Sequence, residues 1–184
     1  MSALTIRPAA PADMAALAEI YGHHVRHGFG TFEEVPPSAA ELDGRREAIV
    51  ARGLPYLLAE DQGRVLGFAY AGPFRLRAAY RYTVEDSVYV APDAQGMGVG
   101  RAVLSAVIAA CEAIGIRQVV AVIGDSGNAG SIGLHRSLGF THKGVGEGFG
   151  YKHGRWVDIV WMQKALNGGT GREPDAPGLA LSGF

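Results

Sequence analysis

Three alternating glycines separate a predicted strand from a long predicted helix, and this junction constrains the fold more than any other feature of the chain. Gly96, Gly98 and Gly100 lie between a strand predicted over 84–90 and a helix predicted over 101–114. Because glycine adopts positive φ at little cost, successive N–H groups can point to one side and form an anion nest. The positive end of the following helix adds to that site. The junction predicts a pyrophosphate cradle, with a purely structural glycine-rich turn as the alternative.

Two common phosphate-binding motifs do not match this junction. A Walker A motif requires Gly-Lys-Ser/Thr, which is absent. The spacing Gly-x-Gly-x-Gly also differs from the dinucleotide fingerprint Gly-x-Gly-x-x-Gly, and no βαβ unit precedes it. The spacing of the glycines alone therefore does not identify the ligand that this junction would bind.

The remaining pattern predicts an α/β protein. Asp13 is a plausible N-cap for a first helix, and Ser38 with Glu41 forms a capping box for a second. The predicted order is strand, two helices, three strands, helix, strand, helix, strand, which requires a mixed sheet. We assign residues 1–166 to one domain and 167–184 to a Gly/Pro-rich tail. Its composition is typical of disorder, although packing or a partner could order it.

Composition excludes several classes of function. The chain has 184 residues, 17 Lys plus Arg against 18 Asp plus Glu, and a net charge of −1. This balance argues against nucleic-acid binding through phosphate neutralisation. We expect a soluble cytoplasmic protein. The chain has one cysteine, no apolar run near the ~18 residues of a membrane span, and no recognisable signal peptide. His23, His24 and His27 lack the partners of a metal site, so we predict a solvated helix end there and no metal.

Two motifs resemble the GNAT superfamily of N-acetyltransferases. They are Gln95-x-x-Gly98-x-Gly100 after a strand, and the downstream Asn128-x-x-Ser131-x-x-Leu134-His135-x-x-Leu138-Gly139-Phe140. A narrower resemblance, to the phosphinothricin and methionine sulfoximine acetyltransferases, is carried by further segments. These are Thr31-Phe32-Glu33, Tyr70-Ala71-Gly72-Pro73-Phe74-Arg75-x-Arg77-x-Ala79-Tyr80, Glu85-x-x-Val88-Tyr89-Val90, Val119-Val120-Ala121-Val122-Ile123-Gly124 and Gly150-x-Lys152-His153-Gly154-x-Trp156-x-Asp158.

The resemblance implies a GNAT fold, in which a mixed central sheet is splayed at the acetyl-CoA site and flanked by about four helices. It also implies that acetyl-CoA is the co-substrate. The pantetheine arm would bind the backbones of Val88, Tyr89 and Val90, and Asn128 would contact the cofactor. The pyrophosphate would lie on the junction residues Gly96, Met97, Gly98, Val99, Gly100 and Arg101.

Two side chains are the predicted catalytic groups. By resemblance, Glu85 accepts the proton of the attacking ammonium, which requires a pKa raised by burial or by neighbouring Asp86. The alternative interpretation is that Glu85 is a surface carboxylate with no catalytic role. His135 occupies the place of the thiolate-protonating residue in many relatives, and its alternative is a packed, hydrogen-bonded histidine. The main-chain N–H of Val88 or of a neighbouring residue is the predicted oxyanion donor.

The predicted acceptor site contains two arginines that lie two positions apart in the chain. Arg75 and Arg77 can clamp a carboxylate or phosphinate together, unless they are simply exposed on a loop. The other predicted acceptor-site residues are Phe32, Leu76, Glu85, Asp86 and Ser87. By resemblance, the segment containing Lys152 and His153 helps to form a homodimer interface and the rim of the site.

These features predict an N-acetyltransferase for a small amino-acid-like amine, such as phosphinothricin or methionine sulfoximine. The amine would attack acetyl-CoA directly in a ternary complex. One alternative is an acetyltransferase for another amine, namely a polyamine, an antibiotic or a protein N-terminus. The other is a non-catalytic acyl-CoA-binding module.

Overall fold

The computed structural model describes residues 4–181 and is built on a seven-stranded mixed sheet with the order β1-β2-β3-β4-β5-β7-β6. The strands are β1 (Thr5–Pro8), β2 (Tyr56–Asp61), β3 (Arg64–Pro73), β4 (Thr83–Val90), β5 (Gln118–Gly124), β6 (Thr141–Lys152) and β7 (Arg155–Ala165). The helices are α1 (Met14–His27), α2 (Ala39–Val50), α3 (Val99–Ala113) and α4 (Ala129–Ser137). Residues 1–3 of the predicted domain and 182–184 of the predicted tail lie outside the described residues.

Local sequence signals place the first two helices. The Ser38 hydroxyl accepts the N–H of Glu41 at 3.2 Å, and the Glu41 carboxylate accepts the N–H of Ser38 at 2.7 Å. This confirms the predicted capping box. Helix α1 begins after Asp13, as predicted, but the Asp13 carboxylate makes no cap bond to its helix. It instead accepts two 2.8 Å bonds from the Arg7 guanidinium, which ties β1 to α1.

The two central helices cover opposite faces of β4. Tyr21 of α1 makes an edge contact with Tyr89, with ring centroids 4.7 Å apart. Gly100 of α3 lies over the side chains of Val88 and Val90. Because successive strand residues point to opposite faces, α1 and α3 lie on opposite sides of the sheet. Each functional side chain of β4 therefore faces one helix layer or the other.

Strand β6, which contains Gly148 and Gly150, is absent from the predicted order. Both glycines lie in β6, which pairs with β7 across two register shifts, between His142 and Gly144 and between Gly146 and Gly150. A glycine at every second position from 144 to 150 removes the alternating apolar pattern that identifies a strand. The edge position of β6 explains why a strand with so little side-chain pattern is tolerated there.

The C-terminal segment packs against the domain as far as residue 181. The Arg117 guanidinium donates to the carbonyls of Gly169 at 2.7 Å and Arg172 at 2.7 Å. The Tyr82 hydroxyl donates to the Ala176 carbonyl at 2.8 Å, and Leu179 is buried in the core. These contacts show packing over 167–181, whereas the predicted boundary at residue 166 remains a prediction. Across residues 4–181, every helix is too short or too polar to span a bilayer.

Candidate active site

The central sheet opens between its two parallel strands. Pairing of β4 with β5 runs only from Thr83 to Asp86, opposite Gln118 to Ala121, although both strands continue beyond these residues. A cleft of about 850 Å³ lies at the opening. Because the facing strand edges are unpaired with each other there, an extended amide-bearing ligand can hydrogen-bond to them as an added strand would.

The backbone of β4 presents alternate residues to this opening. The N–H of Ala91 donates to Leu66 of β3 at 2.8 Å, and in an antiparallel pair the same orientation recurs at every second residue. Tyr89 therefore directs its backbone groups to β3, whereas Val88 and Val90 direct theirs to the opening. Nε2 of His24 lies 2.8 Å from the Val90 carbonyl, so the imidazole N–H donates to it. Of the three residues predicted to bind the pantetheine arm, Val88 and Val90 therefore present their backbone groups to the opening, and Tyr89 does not.

The glycine junction forms one wall of the cleft. Gly96 and Gly98 have φ of +75° and +84°, and a Cβ at either position would meet open space. These two glycines are required by conformation, as predicted. The left-handed Gly98 is the N-cap of α3, which begins at Val99 rather than at the predicted Arg101. The helix N-terminus therefore points its N–H groups at the same wall.

Gly100 has a different role from its two neighbours. It lies inside α3, and the predicted positive φ is wrong for this residue. A Cβ there would lie 3.3 Å from the side chains of Leu134 and Val90, so glycine allows α3 to pack closely against α4 and β4. Arg101 lines the cleft, whereas Met97 is 44% exposed and does not line it.

Glu85 lines the cleft and is half-buried. Burial raises the pKa of its carboxyl, the charge of Arg75 opposes this rise, and the neighbouring charge of Asp86 adds to it. A carboxylate with a raised pKa at a cleft is suited to accept a proton near neutral pH. The position of Glu85 therefore fits the predicted base.

Asp86 and His135 form a buried pair at the base of the cleft. Nε2 of His135 lies 3.0 Å from Oδ2 of Asp86, and the two side chains are 3% and 1% exposed. Nδ1 lies 2.7 Å from the Ser131 carbonyl, so Nδ1 carries a hydrogen. Burial alone lowers the pKa of His135, but the hydrogen bond and charge of Asp86 outweigh it and raise that pKa.

Both ring nitrogens of His135 are thus engaged by protein atoms. These contacts are those of a hydrogen-bonded histidine, and the predicted role of His135 in protonating the thiolate stays a prediction. A proton transferred from His135 to a thiolate would have to leave from Nε2, the atom that contacts Asp86. Asn128, another predicted residue, lines the cleft and caps α4 by accepting the Ser131 N–H at 3.1 Å.

The predicted acceptor residues divide into two groups. Phe32 and Ser87 line the cleft together with Glu85 and Asp86. Residues 75–77 lie on an exposed loop after β3 and do not line it. The Arg75 guanidinium donates to the neighbouring Phe74 carbonyl at 2.8 Å and lies 4.4 Å from the centre of the Phe74 ring. The side chain of Leu76 lines a second, smaller cavity of about 380 Å³ beside α2.

The structure gives two residues a role that sequence reasoning missed: His24, which lines the cleft, and Lys152, which binds a loop that lines it. His24 was assigned to a solvated helix end rather than to a metal site, although its spacing from Leu17 and Tyr21 places it on the buried face of α1. Lys152 was assigned to a segment at the dimer interface and the rim of the site, yet the residue is 1% exposed and its ammonium reaches the loop that borders the cleft. No sequence signal identifies this burial, because strand β6 itself was not predicted. Within residues 4–181, no cluster of three or more metal-ligating side chains occurs.

The comparisons with known proteins agree with this architecture. The family model described as "Acetyltransferase (GNAT) family" matches residues 18–140. The chain therefore belongs to the GNAT family of acetyltransferases. The confirmed features of that fold are the mixed seven-stranded sheet and the four flanking α-helices.

Particular relatives narrow the resemblance further. The chain is 50% identical over 173 residues to a phosphinothricin N-acetyltransferase of Alcaligenes faecalis, covering 94% of this chain and 88% of that protein. It is 42% identical to an L-methionine sulfoximine/L-methionine sulfone acetyltransferase of Salmonella typhimurium, covering 89% and 95% respectively. It also superposes with a TM-score of 0.90 on the crystal structure of a GNAT phosphinothricin acetyltransferase from Sinorhizobium meliloti in complex with acetyl-CoA. That protein is 47% identical, and the match covers 93% of this chain and 92% of that one.

Proposed function

We propose that this protein transfers the acetyl group of acetyl-CoA to the amine of a small amino-acid-like acceptor of the phosphinothricin or methionine sulfoximine type. The observation that carries the proposal is the opening between β4 and β5, which brings the glycine junction and Glu85 to one cleft. The names of the relatives supply the acceptor class.

The chain has groups suited to each part of acetyl-CoA. The backbones of Val88 and Val90 face the opening and would pair with the amides of the pantetheine arm. The left-handed Gly96 and Gly98, with the N-terminus of α3, would bind the pyrophosphate. Arg101 lines the same part of the cleft and would add a positive charge.

The reaction then requires three things of this chain. Glu85 would accept a proton from the acceptor ammonium, directly or through water, so that the neutral amine can attack the thioester carbonyl. The N–H of Val88 would donate to the oxygen of the tetrahedral intermediate. When the C–S bond breaks, the departing thiolate would take a proton from Nε2 of His135. As the amide forms, the acceptor nitrogen would lose its second proton to solvent, so the reaction balances with one net proton released and without a covalent acyl-enzyme.

Arg75 and Arg77 would recognise the acidic group of the acceptor. Support for the placement of Arg75 comes from Gly72, which lies three residues before it and pairs with Glu85, and from the charge of Arg75, which lowers the pKa of the Glu85 carboxyl. An arginine pair binds a carboxylate or phosphinate through two parallel hydrogen bonds, which a cationic polyamine cannot accept. This pair favours an anionic acceptor over a polyamine.

We also propose a homodimer that uses the outer face of the β6–β7 hairpin. Three large side chains on this face are strongly exposed, namely Phe149 at 58%, Tyr151 at 59% and Trp156 at 66%. Exposed apolar patches of this kind typically mark interaction sites.

The cytoplasmic location expected from the single cysteine stays a prediction.

A thiol-release assay with acetyl-CoA tests the proposed function. The acceptor panel contains phosphinothricin, methionine sulfoximine, a polyamine, an aminoglycoside and a peptide with a free N-terminus. We expect the largest kcat/KM with the first two. Turnover confined to the polyamine or the peptide would refute the acceptor class, and acetyl-CoA binding without turnover of any amine would indicate a non-catalytic module.

A further inference from the structure

A buried lysine connects the edge strand β6 to the cleft. The Lys152 ammonium donates to the carbonyls of Gly28 at 2.9 Å and Thr31 at 2.7 Å, and the residue is 1% exposed. These carbonyls lie near the two ends of residues 28–32, which we call the α1–α2 segment. One side chain thus binds both ends of a segment that lies more than 120 residues earlier in the chain.

Two glycines in neighbouring strands make room for the same segment. A Cβ on Gly124 of β5 would overlap with the Phe29 carbonyl oxygen, and a Cβ on Gly150 of β6 would overlap with the Phe32 ring. The Phe29 ring is also held from β7, because the Arg155 guanidinium lies 4.0 Å from its centre. The α1–α2 segment therefore packs against three strands, β5, β6 and β7.

The α1–α2 segment is also part of the cleft. All five of its residues line the cleft, which Glu85 lines as well. On the other side, the Tyr21 hydroxyl lies 2.9 Å from the Thr31 hydroxyl and donates to the Glu33 carboxylate at 2.8 Å. Lys152 holds the segment from β6, and Tyr21 holds it from α1.

We propose that Lys152 is a positioning residue that fixes the α1–α2 segment as the acceptor-side wall of the cleft and so sets the affinity for the acceptor amine. This inference rests on the proposed function, because it assigns the segment to the acceptor. An ammonium suits the task, since its three donors can bind carbonyls that lie in different directions. A neutral side chain of similar length would leave two buried carbonyls without that donor.

The test replaces Lys152 with methionine, which keeps the length of the side chain and removes its donors. We expect the KM for methionine sulfoximine to rise about tenfold. The KM for acetyl-CoA and kcat should change less than about twofold, because Lys152 binds the α1–α2 segment and makes no hydrogen bond to the glycine junction. Lys143→Met is the matched control, because Lys143 is an exposed lysine of the same strand, and it should behave as wild type.

A second measurement does not depend on activity. Amide hydrogen exchange over residues 28–32 should be faster in Lys152→Met than in wild type, with exchange in α3 unchanged. Gly150→Ala keeps the lysine and disturbs only the packing of the Phe32 ring against β6. It should therefore reproduce the rise in amine KM even if Lys152→Met does not fold. An unchanged amine KM in both variants would overturn the proposal.

The exchange measurement also separates this inference from the proposed function. If the wild-type protein acetylates none of the amines tested, the proposed function fails. Faster exchange over residues 28–32 in Lys152→Met would still support the positioning role of Lys152, and unchanged exchange would refute it.

Discussion

Replacing Asp86 with asparagine should destabilise the protein in a manner that depends on pH. The Asp86 carboxylate lies 3.0 Å from Nε2 of His135, and both side chains are almost fully buried. Because the Ser131 carbonyl requires a hydrogen on Nδ1, the carboxylate is best matched by an imidazolium, which carries a hydrogen on each nitrogen. Asparagine keeps the shape of the side chain but removes the charge that holds this second proton.

The size of the effect follows from the burial of the pair. Removing one partner of a buried ion pair typically costs about 3–5 kcal/mol of the free energy of unfolding. The amide of an asparagine can still donate to a neutral Nε2, and one neutral hydrogen bond contributes about 1 kcal/mol. We therefore expect a loss of about 3 kcal/mol on the acidic side and about 1 kcal/mol on the alkaline side.

The direction of the pH dependence comes from the raised pKa of His135 in the folded protein. Stability from such a group is fully present below the unfolded value of about 6.5 and is lost as pH rises through the folded pKa. The difference between wild type and Asp86→Asn should therefore shrink as pH rises.

Urea denaturation between about pH 6 and about pH 9 measures this difference. Asp93→Asn is the matched control, because Asp93 forms an exposed pair with Arg64 and should show little change across the window. A loss in Asp86→Asn that stays constant with pH, or grows as pH rises, would refute the assignment of a charged buried pair.

Three further substitutions test the cleft. Glu85→Gln should lower kcat about 100-fold and remove the rise of kcat with pH through the raised pKa of Glu85, with the calorimetric Kd for acetyl-CoA unchanged; a wild-type pH profile would exclude Glu85 as the base. Gly98→Val should weaken acetyl-CoA binding about tenfold or more in the same calorimetric assay, because a β-branched residue resists a φ of +84°; wild-type affinity would contradict the cradle. Arg75→Ala and Arg77→Ala should each raise the KM for the amine and leave that for acetyl-CoA unchanged; a constant amine KM would remove the pair from the acceptor site.

Features that depend on a few neighbouring residues were predicted from the sequence. The capping box of Ser38 and Glu41 and the positive φ of Gly96 and Gly98 are of this kind, since each reflects local backbone geometry. Gly100 shows the limit of such reasoning. It belongs to the same motif, but it is required by the packing of α4 and β4 against α3, which no local pattern records.

Contacts between distant parts of the chain could not be predicted. Asp86 and His135 are 49 residues apart, and their pairing depends on how α4 packs against β4. The burial of Lys152 depends on β6, a glycine-rich edge strand with no alternating pattern. The resemblance also placed Glu85 and the glycine junction together, and both line one cleft because they belong to one continuous segment.

Mass spectrometry of the acceptor after incubation with acetyl-CoA tests the central claim most directly. We predict that methionine sulfoximine and phosphinothricin each gain one acetyl group on the amine in the presence of wild-type protein. Glu85→Gln, under the same conditions, should give far less product. Unmodified acceptors throughout the panel, from a protein that binds acetyl-CoA by calorimetry, would contradict the claim that this cleft is the site of acetyl transfer.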